Sequence, residues 1–152
     1  MRVTMMMMAA GLALAGCQQQ AGVESARTGP KVIPPATAVL AAADMAPRGY
    51  PGRFGFTVQA GAQVGGWEYL NSHDDYRDQR NLSVRIARPA RLALEADHGA
   101  PLHETLKGKA IEVDGVAMRT RITFSADGKP TDKYYYQTQV EVRRPDQLVV
   151  LE

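Results

Sequence analysis

The chain has 152 residues, 45% of them apolar, and a formal charge of +2 from 18 basic and 16 acidic side chains. That length holds one domain with a packed core and little more. From residue 50 onward 14 Lys and Arg meet 14 Asp and Glu, so the excess charge lies in the first 49 residues, which argues against a broad polyanion-binding surface.

Arg2 gives the chain a positive start, and an uncharged run follows from Val3 to Gly16. The run is too short to span a bilayer as a helix, which needs roughly 20 residues. A charged start, a short apolar run and then small residues form a secretion signal. Leu14-Ala15-Gly16-Cys17 resembles the bacterial lipobox. That resemblance implies cleavage before Cys17 and diacylglycerol on its thiol, making residues 1–16 a lipoprotein signal peptide and the membrane a partner through acyl chains. The alternative is a plain signal peptide followed by an incidental cysteine or a small buried thiol. Cys17 is the sole cysteine, so no intramolecular disulfide can form. Several acyl chains on one residue anchor stably, where a single chain is marginal. Gln18, not Asp, follows Cys17. By the same resemblance this places the protein at the outer membrane, facing the periplasm.

Residues 17–52 read as the lipidated cysteine and a disordered Pro/Ala-rich tether. Pro30, Pro34, Pro35, Pro47 and Pro51 fall here, Glu24 and Asp44 are the only acids, and large apolar groups are scarce. Residues 36–43, ATAVLAAA, allow one or two helical turns.

Residues 53–152 read as mainly β. Phe54, Phe56 and Val58 alternate with smaller residues, and the pattern runs on through Ala60, Ala62 and Val64. At Gly65-Gly66 the apolar parity flips to Trp67 and Tyr69, which calls for a bulge or bend. Leu82, Val84 and Ile86 form the next alternating strand. Residues 89–107 are the best helical stretch, opened by Pro89 and divided at Gly99 and Pro101. Lys109 to Phe124 is strand again, with a parity switch near Gly115 that reads as a second kink. Ser125 to Asp132 is a turn-rich loop around Asp127-Gly128. Tyr134 to Val142 closes the set, with Tyr134, Tyr136, Thr138, Val140 and Val142 on one face, and Leu148 to Leu151 adds a short apolar piece.

Strand, strand, strand, helix, strand, strand is the order of a small five-stranded OB-like barrel with one helix between strands 3 and 4. GGWEYLNSHDDYRDQRNLSVRI followed by LKGKAIEVDGVAMR resembles small bacterial OB-fold-like domains, with Gly108, Lys109, Ile111, Val113, Gly115 and Val116 on the Gly-Lys-x-Ile-x-Val-x-Gly-x-Val pattern. The resemblance covers residues 54–152 and departs from the pattern after Arg121, where the hairpin is longer. These domains share no common activity, so the likeness implies fold alone.

The polar stretch Asn71 to Arg80 joins two strands. Asn71, Ser72, Asp74 and Asp75 are turn formers, and Asp74, Asp75 and Asp78 lie close to Arg77 and Arg80 in sequence. This reads first as an ordered loop and second as a recognition surface on a rigid scaffold. The candidate binding surface comprises Tyr76, Arg77, Arg80, Arg85, Arg119, Arg121 and Tyr135. Rings beside positive charge suit stacked bases. Alternation instead points most of Trp67, Tyr69, Tyr134 and Tyr136 inward or into cross-strand pairs, with Tyr135 outward beside Gln137 and Gln139.

His98 and His103 are five apart, not the four that share a helical face, so no metal and no cofactor is expected. No serine stands in a Gly-x-Ser-x-Gly elbow, and no phosphate-cradling loop is present, so an enzyme is not expected. The reading is a non-enzymatic envelope lipoprotein that presents a small β-barrel to an envelope protein or component. The alternatives are an OB-type module for oligosaccharide or single-stranded nucleic acid, and a hydrolase of unrecognised type. A secreted location disfavours nucleic acid as the partner.

Overall fold

A computed structural model of the protein describes residues 30–151. The lipobox and Cys17 lie outside the described residues. The described chain is mainly β, with eight strands in one mixed, open sheet and three helices: β1 Val32–Ile33, α1 Pro35–Asp44, β2 Tyr50–Thr57, β3 Ala60–Val64, β4 Trp67–Asn71, β5 Leu82–Ile86, α2 Arg88–His98, α3 Leu102–Thr105, β6 Ala110–Ala126, β7 Lys129–Val142 and β8 Leu148–Val150. The strand order is β1-β2-β6-β7-β5-β4-β3, with β8 against β6. The β1–β2 and β5–β7 pairs are parallel and the rest antiparallel. Eight strands in an open sheet replace the expected five in a barrel.

Residues 30–52, expected as the end of the tether, carry β1, α1 and the first residues of β2. Pro35 opens α1 at a position where its missing N–H costs nothing, and Ala38 and Ala42 on one face of the helix are fully buried. Alanines bring the helix backbone close to the sheet, so a helix whose buried face carries only alanine still joins the core. Phe54, Leu70, Leu82, Val84, Ile86, Leu102, Leu106, Ile111, Val113 and Val140 make up most of that core.

Both expected glycine kinks resolve differently. Gly65 and Gly66, at φ +58° and +84°, form a two-residue hairpin turn that pairs Val64 with Trp67. The apolar parity therefore flips because the chain reverses. Near Gly115 no parity changes: Ile111, Val113 and Ala117 are all buried, and β6 runs unbroken for 17 residues. A Cβ at Gly115 would sit 2.7 Å from Val140, so this glycine is required by close packing. The loop expected over 125–132 shrinks to a two-residue turn at Asp127-Gly128, both at positive φ.

β6 and β7 outrun their neighbours. β2 leaves β6 at Ala117, and β5 leaves β7 at Thr138. Beyond those points the two strands pair only with each other, forming a two-stranded arm about 30 Å long at ~3.3 Å per residue. The helix pattern at 89–107 appears as α2 and α3, divided at Gly99 and Pro101 as the sequence indicates.

Ala42→Asp tests whether α1 belongs to the core. It buries an unpaired carboxylate, and thermal or denaturant unfolding should show a loss of about 3 kcal/mol or more. A tether residue would leave stability unchanged.

Candidate functional site

The outward side chains of β4 and β5 are Trp67, Tyr69, Asn71, Ser83 and Arg85, because their neighbours Leu70, Leu82, Val84 and Ile86 enter the core. The parallel register sets Ser83 beside Gln139 and Arg85 beside Glu141. Ala60, Ala62 and Val64 of β3 form one wall. The arm supplies the other wall through Ile122 and Tyr135. The result is a groove of about 460 Å³ with Tyr69, Tyr76 and Tyr135 among its lining residues. β3 reaches this position because residue 61 is glycine; a Cβ there would run into the Tyr69 carbonyl.

The groove floor is polar and largely buried. Asn81, 1% exposed, donates through Nδ2 to Asn71 Oδ1 at 3.1 Å and Ser83 Oγ at 2.9 Å. Ser83 Oγ in turn donates to Asn71 Oδ1 at 2.7 Å. Asn81 Oδ1 accepts from the His73 N–H at 3.1 Å and from Ser72 Oγ at 3.2 Å. One buried amide thus ties the start of the polar loop to its end. Gln139 Nε2 donates to Gln137 Oε1 at 2.7 Å, and Gln137 Nε2 to the Tyr76 carbonyl at 3.0 Å. Tyr76 is held over the groove by its own backbone. Burial pushes the pKa of the Tyr135 hydroxyl up, with a smaller contribution from neighbouring Tyr76, and the hydroxyl oxygen accepts from Gln137 Nε2 at 3.3 Å.

Two cation–π pairs flank the groove. The Arg85 guanidinium lies 3.8 Å from the Trp67 ring, and Arg77 lies 4.9 Å from the Tyr76 ring. Asp78 binds Arg80 through both carboxylate oxygens, at 3.0 and 2.6 Å, and this hydrogen-bonded pair holds the Asp78 carboxyl well below its usual range. The expected loop pairing is therefore partly present: Asp78 takes Arg80, while Asp75 caps the Arg77 backbone N–H at 2.9 Å.

The structure divides the candidate residues between two faces. Tyr76, Arg77, Arg85 and Tyr135 belong to the groove side. Arg80, Arg119 and Arg121 stand on the opposite face of the arm with Tyr134 and Tyr136. The expectation that Tyr134 and Tyr136 pack inward is corrected. They share a strand face with buried Thr138 and Val140, but beyond Thr138 no layer covers that face, and they are 49% and 39% exposed. Sequence reasoning missed the burial of Ser83, Gln137 and Gln139 in the floor and of Asn81 beneath it, because polar residues beside a loop or on an outward strand face read as solvated. It also missed Glu68, fully buried on the core side of β4, whose Oε1 accepts from the His103 backbone N–H at 2.7 Å and meets His103 Nδ1 at 2.6 Å. That carboxylate fastens α3 to the sheet.

No protein-family model matches the sequence, and no curated protein matches it. Solved structures align with it, among them the following two. A crystal structure from Leishmania major Friedlin described as an aspartyl-tRNA synthetase aligns at TM-score 0.49 and 9% identity over 84% of this chain. The aspartyl tRNA synthetase of Entamoeba histolytica aligns at TM-score 0.44 and 12% identity over 82%. This chain spans 22% of each of those chains, and likeness at this level carries no functional argument. The expectation that disfavoured nucleic acid is nevertheless corrected. The rings assigned to the interior line a groove and an open face, which removes one ground on which nucleic acid was disfavoured.

Asn81→Ala should cost roughly 1–3 kcal/mol through the buried donors and acceptors it orphans, measured by denaturant unfolding. The loop carrying Tyr76 should then exchange its amides faster than β4 and β5.

Proposed function

We propose that residues 50–151 act as an OB-type binding module whose ligand is single-stranded nucleic acid lying in the tyrosine groove. The OB reading is supported by strand connectivity. β2 passes into β3 across only Val58 and Gln59, so the two together serve as a first strand that pairs with β6 at one end and β4 at the other. With β4, β5, β6 and β7 as the other four, helices fall between the third and fourth, and β5 meets β7 in parallel. The observation that carries the ligand reading is a row of rings, Tyr69, Tyr76 and Tyr135, over a fixed amide floor, with Arg77 and Arg85 at its flanks. Rings stack bases, amides meet base edges, and guanidinium groups meet phosphates.

An oligosaccharide is the second reading, favoured by one observation: Asp74 is the only charged residue among those lining the groove itself. Sugar rings stack on tyrosine faces and bond to amides without needing a counter-charge. Titration of the purified protein separates the two. Single-stranded oligonucleotides should bind with an affinity that falls steeply with salt, and Tyr135→Ala should weaken binding about ten-fold or more, the loss of one stacked base. Salt-independent binding of neutral oligosaccharides, with none to oligonucleotides, would replace the first reading by the second. Turnover of either ligand would overturn both in favour of an enzyme.

The proposal extends to location: Cys17 is acylated and the module is tethered to the envelope, at the outer membrane and facing the periplasm. Its support is the sequence Leu14-Ala15-Gly16-Cys17. Cys17→Ser expressed in a bacterial host should move the protein from the detergent phase to the aqueous phase, and unchanged partitioning would remove the anchor from the proposal.

A further inference from the structure

We infer that the arm face opposite the groove is a second docking surface, fitted to the anionic headgroups of a lipid bilayer. On this face Arg119 stacks on Tyr136 and Arg121 on Tyr134, each at 4.0 Å, and the two rings meet edge to face at 5.7 Å. Each guanidinium is held flat by a ring, which leaves its N–H edge free for an anion. Among the described residues neither arginine has a carboxylate within ion-pair distance, whereas Arg80 in the same hollow is neutralised by Asp78. The face therefore carries two positive charges without an ion-pair partner among the described residues, on a domain whose formal charges cancel only when these two are counted.

The opposite wall of the hollow, about 560 Å³ in volume, is α1, which turns Val39 and Leu40 toward it. Leu40 is 69% exposed, the largest exposure of any large apolar side chain among the described residues. Arginines, tyrosines and bare aliphatics on one surface match the chemistry of the headgroup layer. Guanidinium groups pair with phosphates, phenol rings sit at the boundary, and aliphatics enter the acyl region. A nucleic-acid strand would use the arginines but leave Leu40 bare and Val39 half-covered. A neutral glycan would leave the arginines unused. The chain length agrees with this placement: only twelve residues separate Cys17 from Pro30, a reach of about 40 Å when fully extended. The inference does not require the acyl chains; where they are present they hold α1 near the same bilayer.

The test uses the full chain carrying Cys17→Ser, so that no acyl group contributes, floated with vesicles of phosphatidylglycerol or of phosphatidylcholine. The chain should prefer phosphatidylglycerol, and added salt should reduce its binding. Combining Arg119→Ala with Arg121→Ala should lower phosphatidylglycerol binding about ten-fold or more, and Arg119→Lys with Arg121→Lys should restore part of it. Leu40→Gln, on an exposed site that the core does not use, should weaken binding without any change of charge. Thermal unfolding of each variant controls for folding. Equal flotation of the parent and the alanine pair, or equal binding to both lipids, overturns the inference. So does an alanine pair that loses oligonucleotide binding while keeping vesicle binding.

Discussion

The architecture depends on two strands longer than the sheet that contains them. Within the sheet, β6 and β7 obey the usual division: one set of alternate side chains enters the core and the other faces out. Past Ala117 and Thr138 the same alternation continues with no core beneath it. A face that buries Val140 and Val142 near the base exposes Tyr134 and Tyr136 further out. The opposite face, polar near the base with Gln137 and Gln139, becomes a wall through Ile122 and Tyr135. Both surfaces considered for binding arise from this one extension, and they are distinct because period-two alternation separates them.

An extended ribbon alone would hold neither surface still, since an isolated hairpin is marginal in water. The groove side is fixed by hydrogen bonds buried among Asn71, Ser83 and Asn81, together with the relay from Gln139 through Gln137 to the Tyr76 carbonyl. Buried polar groups of this kind are costly when half satisfied and rigid when fully satisfied. They set the Tyr76 loop against the arm, so the groove exists before a ligand arrives and little ordering cost falls on binding. On the far side, cation–π stacking does the comparable work for Arg119 and Arg121.

Much of the strand pattern was legible in the sequence. Leu82, Val84 and Ile86 announce a strand with one buried face, and Gly99 with Pro101 marks the break between α2 and α3. What failed did so for identifiable reasons. Ala38 and Ala42 bury no large surface, so the composition of residues 30–52 reads as a spacer even though their smallness is what lets α1 pack. Gly65-Gly66 produces the same parity flip in a turn as in a bulge, and pattern alone does not separate the two. Alternation showed that Tyr134 and Tyr136 share a face with Val140; it held no information about where the covering layer stops. The groove floor was invisible because asparagine and glutamine near a loop carry no burial signal until their partners, distant in sequence, are brought beside them.

Charge bookkeeping illustrates the same point in energetic terms. Over residues 50–152 the formal charges cancel, and a sum of zero argues against a polyanion partner. Interactions at contact depend instead on which charges are already paired, because screening at physiological salt acts over about 8 Å. Arg53 is bound through two nitrogens to Asp114, Arg91 to Glu95 and Arg80 to Asp78, so those cations are spent on the fold. The pairing leaves Arg119 and Arg121 without a carboxylate at ion-pair distance among the described residues. A neutral domain can therefore present a locally positive face, and that face is set by strand register, which decides where each carboxylate stands relative to its arginine.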